Sequence, residues 1–69
     1  MRSWPILKAI KRLGYRATVR QMPGGAEVIA VNHMIPERWH LVRSLDDSDE
    51  QLHIAVCRLA ELVRSEIDG

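Results

Sequence analysis

His53 and Cys57 stand four positions apart, a spacing that sets both on one face of a helix. An imidazole and a thiolate are zinc ligands, and His33 and His40 are the other histidines that would complete a set of four. Structural zinc sites draw on tight pairs of the Cys-x2-Cys kind, whereas this chain has one cysteine. The pair fits better at the border of an apolar helix stripe, as a boundary histidine and a small apolar cysteine. No metal or other cofactor is expected.

Covalent catalysis has equally little to work with. Cys57 falls in mid-helix, away from the helix N-terminus that would lower a thiol's pKa. Ser3, Ser44, Ser48 and Ser65 have no elbow or oxyanion loop around them. Gly24-Gly25 follows Pro23 between two alternating segments and reads as a hairpin turn, not a phosphate loop. Asp46, Asp47, Asp49 and Glu50 gather where a helix begins, and capping accounts for them. No catalytic residue is assigned, and the chain is read as a non-enzymatic protein.

Charge is the remaining chemical signal. Residues 1–22 carry Arg2, Lys8, Lys11, Arg12, Arg16 and Arg20 without an acid, a local charge of +6. Residues 46–69 sum to −5, so the net +1 conceals a basic beginning and an acidic end. Two such halves attract one another across a fold. Alternatively, Lys8, Lys11, Arg12, Arg16 and Arg20 form a basic face offered to nucleic-acid phosphates, which require only clustered cations.

These residues need elements to hold them. Ser3 is suited to N-cap a helix over Trp4–Leu13, with Pro5 in its first turn and Gly14 as its stop. Ile6, Leu7, Ile10 and Leu13 make its apolar stripe. Residues 15–22 alternate as a strand, with Tyr15, Ala17, Val19 and Gln21 inward. A three-residue turn, Pro23-Gly24-Gly25, would pair Met22 with Ala26, Val19 with Ile29 and Ala17 with Val31. In that register Val28 and Ala30 lie on the outer face beside Thr18 and Arg20, and a slip of one residue would exchange the faces.

Met34-Ile35-Pro36-Glu37 reads as a loop. A third strand is expected over 38–45, with Trp39 and Leu41 inward and His40, Val42 and Ser44 outward. The last helix starts with Ser48-Asp49-Glu50-Gln51, the pattern of a capping box. Leu52, Ala55, Val56, Leu59, Leu62, Val63 and Ile67 form its stripe, and Ile54 falls on its polar side. The order α-β-β-β-α predicts an α+β fold, a three-stranded antiparallel meander with two helices packed on one face.

With 69 residues, 46% of them apolar, the chain makes one domain, whose core rarely supplies more than ~3–5 kcal/mol. A stabilising partner or a homodimer is in keeping with that size. One cysteine and no long apolar run point to a cytoplasmic protein without a membrane span.

The order of elements is shared with double-stranded-RNA-binding domains, but their basic cluster at the start of the last helix is replaced here by acids that repel phosphate. Small RNA-cleaving toxins of the same topology use a strand histidine, as His33 or His40 would be, in a Gly-Ser/Thr-His context that is absent. The run Leu13-Gly14-Tyr15, the hairpin and the helix segment His53-Ile54-Ala55-Val56-Cys57-Arg58-Leu59-Ala60 resemble the phage ABA sandwich domains, with most of the likeness in Ala-x-Cys-Arg-x-Ala at 55–60. That resemblance implies the helix–sheet layout and carries no catalytic residue with it.

A protein-interaction module, with a homodimer as one form it can take, is therefore the first expectation. Val28, Ala30 and Val42 on the open sheet face, Met34 and Ile35 at a loop tip and Ile54 on the last helix are the candidate interface. A nucleic-acid-binding accessory protein using the basic N-terminal third is the alternative.

Overall fold

Pro23 and Gly24 decide the register of the sheet. Proline presets the first central position of a β-turn, and Gly24 takes φ +84°, the left-handed conformation that a type II turn demands next. The turn thus has two central residues, not three, and Met22 pairs with Gly25. Gly25 occupies a strand position because it has no side chain: a Cβ there would stand 3.0 Å from the Ser44 carbonyl oxygen and 3.1 Å from Ser44 Oγ. Ser44 fills that space, accepting a hydrogen bond from the Ala26 amide at 2.8 Å and donating to the Asp46 carbonyl at 2.9 Å.

The computed structural model describes residues 2–69. Its elements are α1 (Trp4–Arg12), β1 (Tyr15–Met22), β2 (Gly25–Asn32), β3 (Trp39–Arg43) and α2 (Asp49–Asp68). The sheet is an antiparallel meander in the order β1-β2-β3, with α1 against β1 and α2 against β2 and β3. The expected α+β layout is thus the observed one.

The register departs from expectation by one residue, with the consequence that a period of two imposes. Val19 faces Val28 and Ala17 faces Ala30, and β3 sets Val42 beside Val28 and His40 beside Ala30. Val28 and Ala30, expected on the open face, are fully buried under the helices. Val42 turns inward as well and packs, half-buried, against the core. Trp39 and Leu41, expected inside, point away from the helices. The core consists of Leu7 and Ile10 of α1, Tyr15, Ala17, Val28 and Ala30 of the sheet, and Ala55, Val56, Leu59 and Val63 of α2.

Two helix details also differ. Ser3 precedes α1 as expected, but its side chain makes no cap bond and turns inward instead. In α2, Ser48 Oγ does accept from the Gln51 amide at 3.2 Å, but Leu62 and Ile67 leave the buried stripe for the surface. The strip that reaches the core is narrower than the apolar pattern because α2 sits over β2 and β3, near the border of a small sheet.

The register predicts different responses from two like residues. Val28→Thr buries a hydroxyl and should cost about 1–3 kcal/mol, whereas Val31→Thr, on the outer face, should cost less than about 0.5 kcal/mol. Urea unfolding of both variants checks this, and equal losses would contradict the register.

Candidate functional site

Two polar clusters tie α2 to the rest of the chain. Ser3 Oγ lies 3.0 Å from His53 Nδ1, and the other ring nitrogen of His53 lies 3.6 Å from Cys57 Sγ. The helix spacing therefore does bring His53 and Cys57 together, with Ser3 completing a short polar chain between the helices. Among the described residues no three His, Cys, Asp or Glu side chains gather into a metal-binding group. His33 has an exposed side chain beyond the end of β2, whereas His40 points inward from β3.

In the second cluster the buried Tyr15 hydroxyl donates to Glu66 Oε1 near the end of α2. His40 Nε2 approaches the same oxygen at 3.3 Å. Burial, reinforced by the Glu66 bond, pushes the Tyr15 hydroxyl's pKa up. The bond from Tyr15, with His40 adding to it, holds the Glu66 carboxyl below its ordinary value. The sequence offers no hint of this cluster, because its members are spread over three elements. The Tyr15–Glu66 pair is hydrogen-bonded, whereas the buried His40 Nε2 only approaches the carboxylate and makes no hydrogen bond.

The basic residues do not form one patch. On α1, Lys8 and Lys11 place their ammonium groups 5.8 and 5.1 Å from the centre of the exposed Trp4 ring, a cation–π stripe along the outside of the helix. Arg12 is exposed on the same helix. Arg16 and Arg20 belong to the outer face of the sheet, opposite the helices. Lys11 and Arg16 meet only across the β1 edge, where they border a shallow depression with His33.

That outer face is ordered by the register in three rungs. Arg16, Val31 and Trp39 form the first, Thr18, Ile29 and Leu41 the second, and Arg20, Glu27 and Arg43 the third. Ile29, Val31, Trp39 and Leu41 thus make one apolar patch, with Trp39 58% and Leu41 38% exposed. Arginines flank it, and its one acid, Glu27, is only 6% exposed and already holds Arg43 Nε at 3.0 Å. The signal that would have found this patch lies in Pro23-Gly24, read as the two central residues of the turn.

A second apolar surface runs along β3 and the flank of α2. Leu41, Val42 and Arg43 line a cleft with Arg58, Glu61, Leu62 and Ser65. Ile54, Gln51 and Arg58 continue it beside Leu45. Ile54 is 41% exposed and Leu62 43% exposed, so the expected interface residue on the last helix is on this flank. Met34 and Ile35 are exposed on a loop held by Asn32 Oδ1, which accepts from both of their amides at 2.9 Å.

No helix among the described residues is long and apolar enough to cross a membrane. No family model, curated protein or solved structure matches the chain.

The Tyr15–Glu66 bond makes stability depend on pH at both extremes. Glu66 has a lowered folded pKa, so its contribution is complete above 4.5 and is lost as pH falls through the folded value. Tyr15 has a raised one, so its contribution is complete below 10.0 and is lost as pH rises through the folded value. Tyr15→Phe should flatten both limbs of a stability-versus-pH curve measured by thermal melts, and Glu66→Gln should flatten the acid limb. An unchanged acid limb in both variants would remove this cluster from the account.

Proposed function

We propose that the chain is a non-enzymatic protein-interaction module whose binding surface is the outer face of its sheet. The observation that carries this reading is the uncovered patch of Ile29, Val31, Trp39 and Leu41. Both helices lie on the opposite face, which leaves Trp39 and Leu41 exposed and Ile29 and Val31 half-buried between their neighbours. Contiguous exposed apolar area of this kind marks interaction sites, and interface centres are enriched in tryptophan and arginine.

The charge around the patch selects the partner. Arg16 and Arg20 lie at one side of it and Arg43 at the other, while Glu27 is engaged with Arg43. The matching surface is a protein with an apolar centre and carboxylates at its rim, which these arginines would steer and orient. The resemblance to the phage ABA sandwich domains contributes no binding residue.

The nucleic-acid reading has less behind it. Single-strand readers combine a basic groove with several stacked aromatics, whereas this face offers Trp39 among aliphatic residues. Lys8, Lys11 and Arg12 belong to α1 and cannot join Arg20 in one footprint, because the sheet lies between them.

Photo-crosslinking in the native cells separates the readings. A crosslinker at Val31 should yield one discrete protein adduct, weakened when Ile29→Glu or Arg20→Glu is added and reduced by salt. A crosslinker at Arg12 on α1 should not yield it. Adducts that nuclease treatment removes, or the same adduct from both positions, would overturn the proposal.

A further inference from the structure

The outer strand β3 has hydrogen-bonding groups that the chain itself does not use. The Asn32 amide donates to the Arg38 carbonyl and the Ser44 amide to the Ala26 carbonyl, each at 2.9 Å. Antiparallel pairs alternate, so the even-numbered residues of β3 bond to β2. The amides and carbonyls of Trp39, Leu41 and Arg43 therefore point outward from the sheet. The edge is short and carries Arg43, but no proline or bulge interrupts Trp39–Arg43.

From this edge we infer that the chain forms a two-fold homodimer by pairing β3 with β3 of a second copy, centred on Leu41. The inference goes beyond the outer-face reading, since it uses the backbone of an edge and the flank of α2. In this register Leu41 faces Leu41, and Trp39 faces Arg43 of the second copy on both sides of the axis. All the outward amides and carbonyls of Trp39, Leu41 and Arg43 find partners. Tryptophan opposite arginine across strands is a favourable cation–π pair. The two three-stranded sheets become one continuous sheet of six strands.

The rest of the edge is complementary to itself in the same arrangement. A two-fold axis perpendicular to the sheet keeps both α2 helices on one side and makes them antiparallel. The cleft shows Leu41–Arg43 level with the stretch Arg58–Ser65, so the axis passes near the middle of that stretch. With the axis there, the exposed Leu62 of each copy lies nearest its counterpart. This covers Leu62, which is 43% exposed in the single chain. The opposite edge lacks this self-complementarity, because β1 carries Arg16 and Arg20 with Lys11 beside it, and a second copy there meets like charge.

Solution mass over a wide concentration series, by light scattering, tests the inference on the chain alone. The wild type should move from the mass of one chain to that of two as concentration rises. Leu41→Lys and Leu41→Glu, each folded by circular dichroism because the side chain is at the surface, should each self-associate at least about tenfold more weakly. An equal mixture of the two should recover the dimer, since the axis then pairs a lysine with a glutamate. A wild type that stays monomeric, variants that dimerise as tightly as wild type, or a mixture that fails to recover would each overturn the inference. The partner adduct at Val31 is read separately, so failure of one surface is distinguishable from failure of the other.

Discussion

The close approach of Ser44 to the backbone of Gly25 and Ala26 governs the arrangement of the molecule. A Cβ at position 25 would crowd Ser44, so glycine suits the place in β2 opposite Met22 that the Pro23-Gly24 turn sets. The same serine joins β2 to β3 through its hydroxyl and its amide. The turn and this contact together fix both pairings of the central strand. Because side chains alternate, both pairings together determine which half of the sheet is core and which is surface.

The cost of burial explains what else is needed. A chain of 69 residues has a small core, and several of its buried positions are alanines: Ala17, Ala26, Ala30 and Ala55. Small side chains let the helices approach the sheet closely, but they contribute little apolar area each. Long-range polar bonds supplement them. Ser3 and His53 join the start of α1 to α2, and Tyr15, His40 and Glu66 join two strands to its last turns. Several larger apolar residues lie outside this core: Trp39, Leu41, Ile54 and Leu62 are exposed, and Ile29 and Val31 are half-buried on the outer face.

The elements themselves were legible in the residues. Gly14 stops α1 with φ +93°, Ser48 caps α2, and Pro36 falls outside the strands. What the pattern could not supply was the face. Ala26 to Val31 are all apolar except Glu27, so neither phase of the alternation stands out, and the turn length alone carried the choice. Choosing three central residues over two put Val28 and Ala30 on the surface and hid Trp39 and Leu41. Glu27 was the missed clue, since a charged residue in a central strand belongs on the face where arginines can reach it. The exposure of Ile54 follows from helical phase, which does not depend on the sheet register. The Tyr15–His40–Glu66 cluster, by contrast, arises only when distant segments meet.

The central claim is that the Pro23-Gly24 turn, with Ser44 against Gly25 and Ala26, sets a register which turns the odd-numbered residues of β3 outward, in both side chain and backbone. Residue-resolved amide hydrogen exchange on dilute protein tests it most directly. The account predicts slow exchange at His40, Val42 and Ser44 and fast exchange at Trp39, Leu41 and Arg43, with the latter three slowing together as concentration rises. Protection of Trp39, Leu41 and Arg43 in the dilute monomer, with His40 and Val42 exchanging freely, would contradict it.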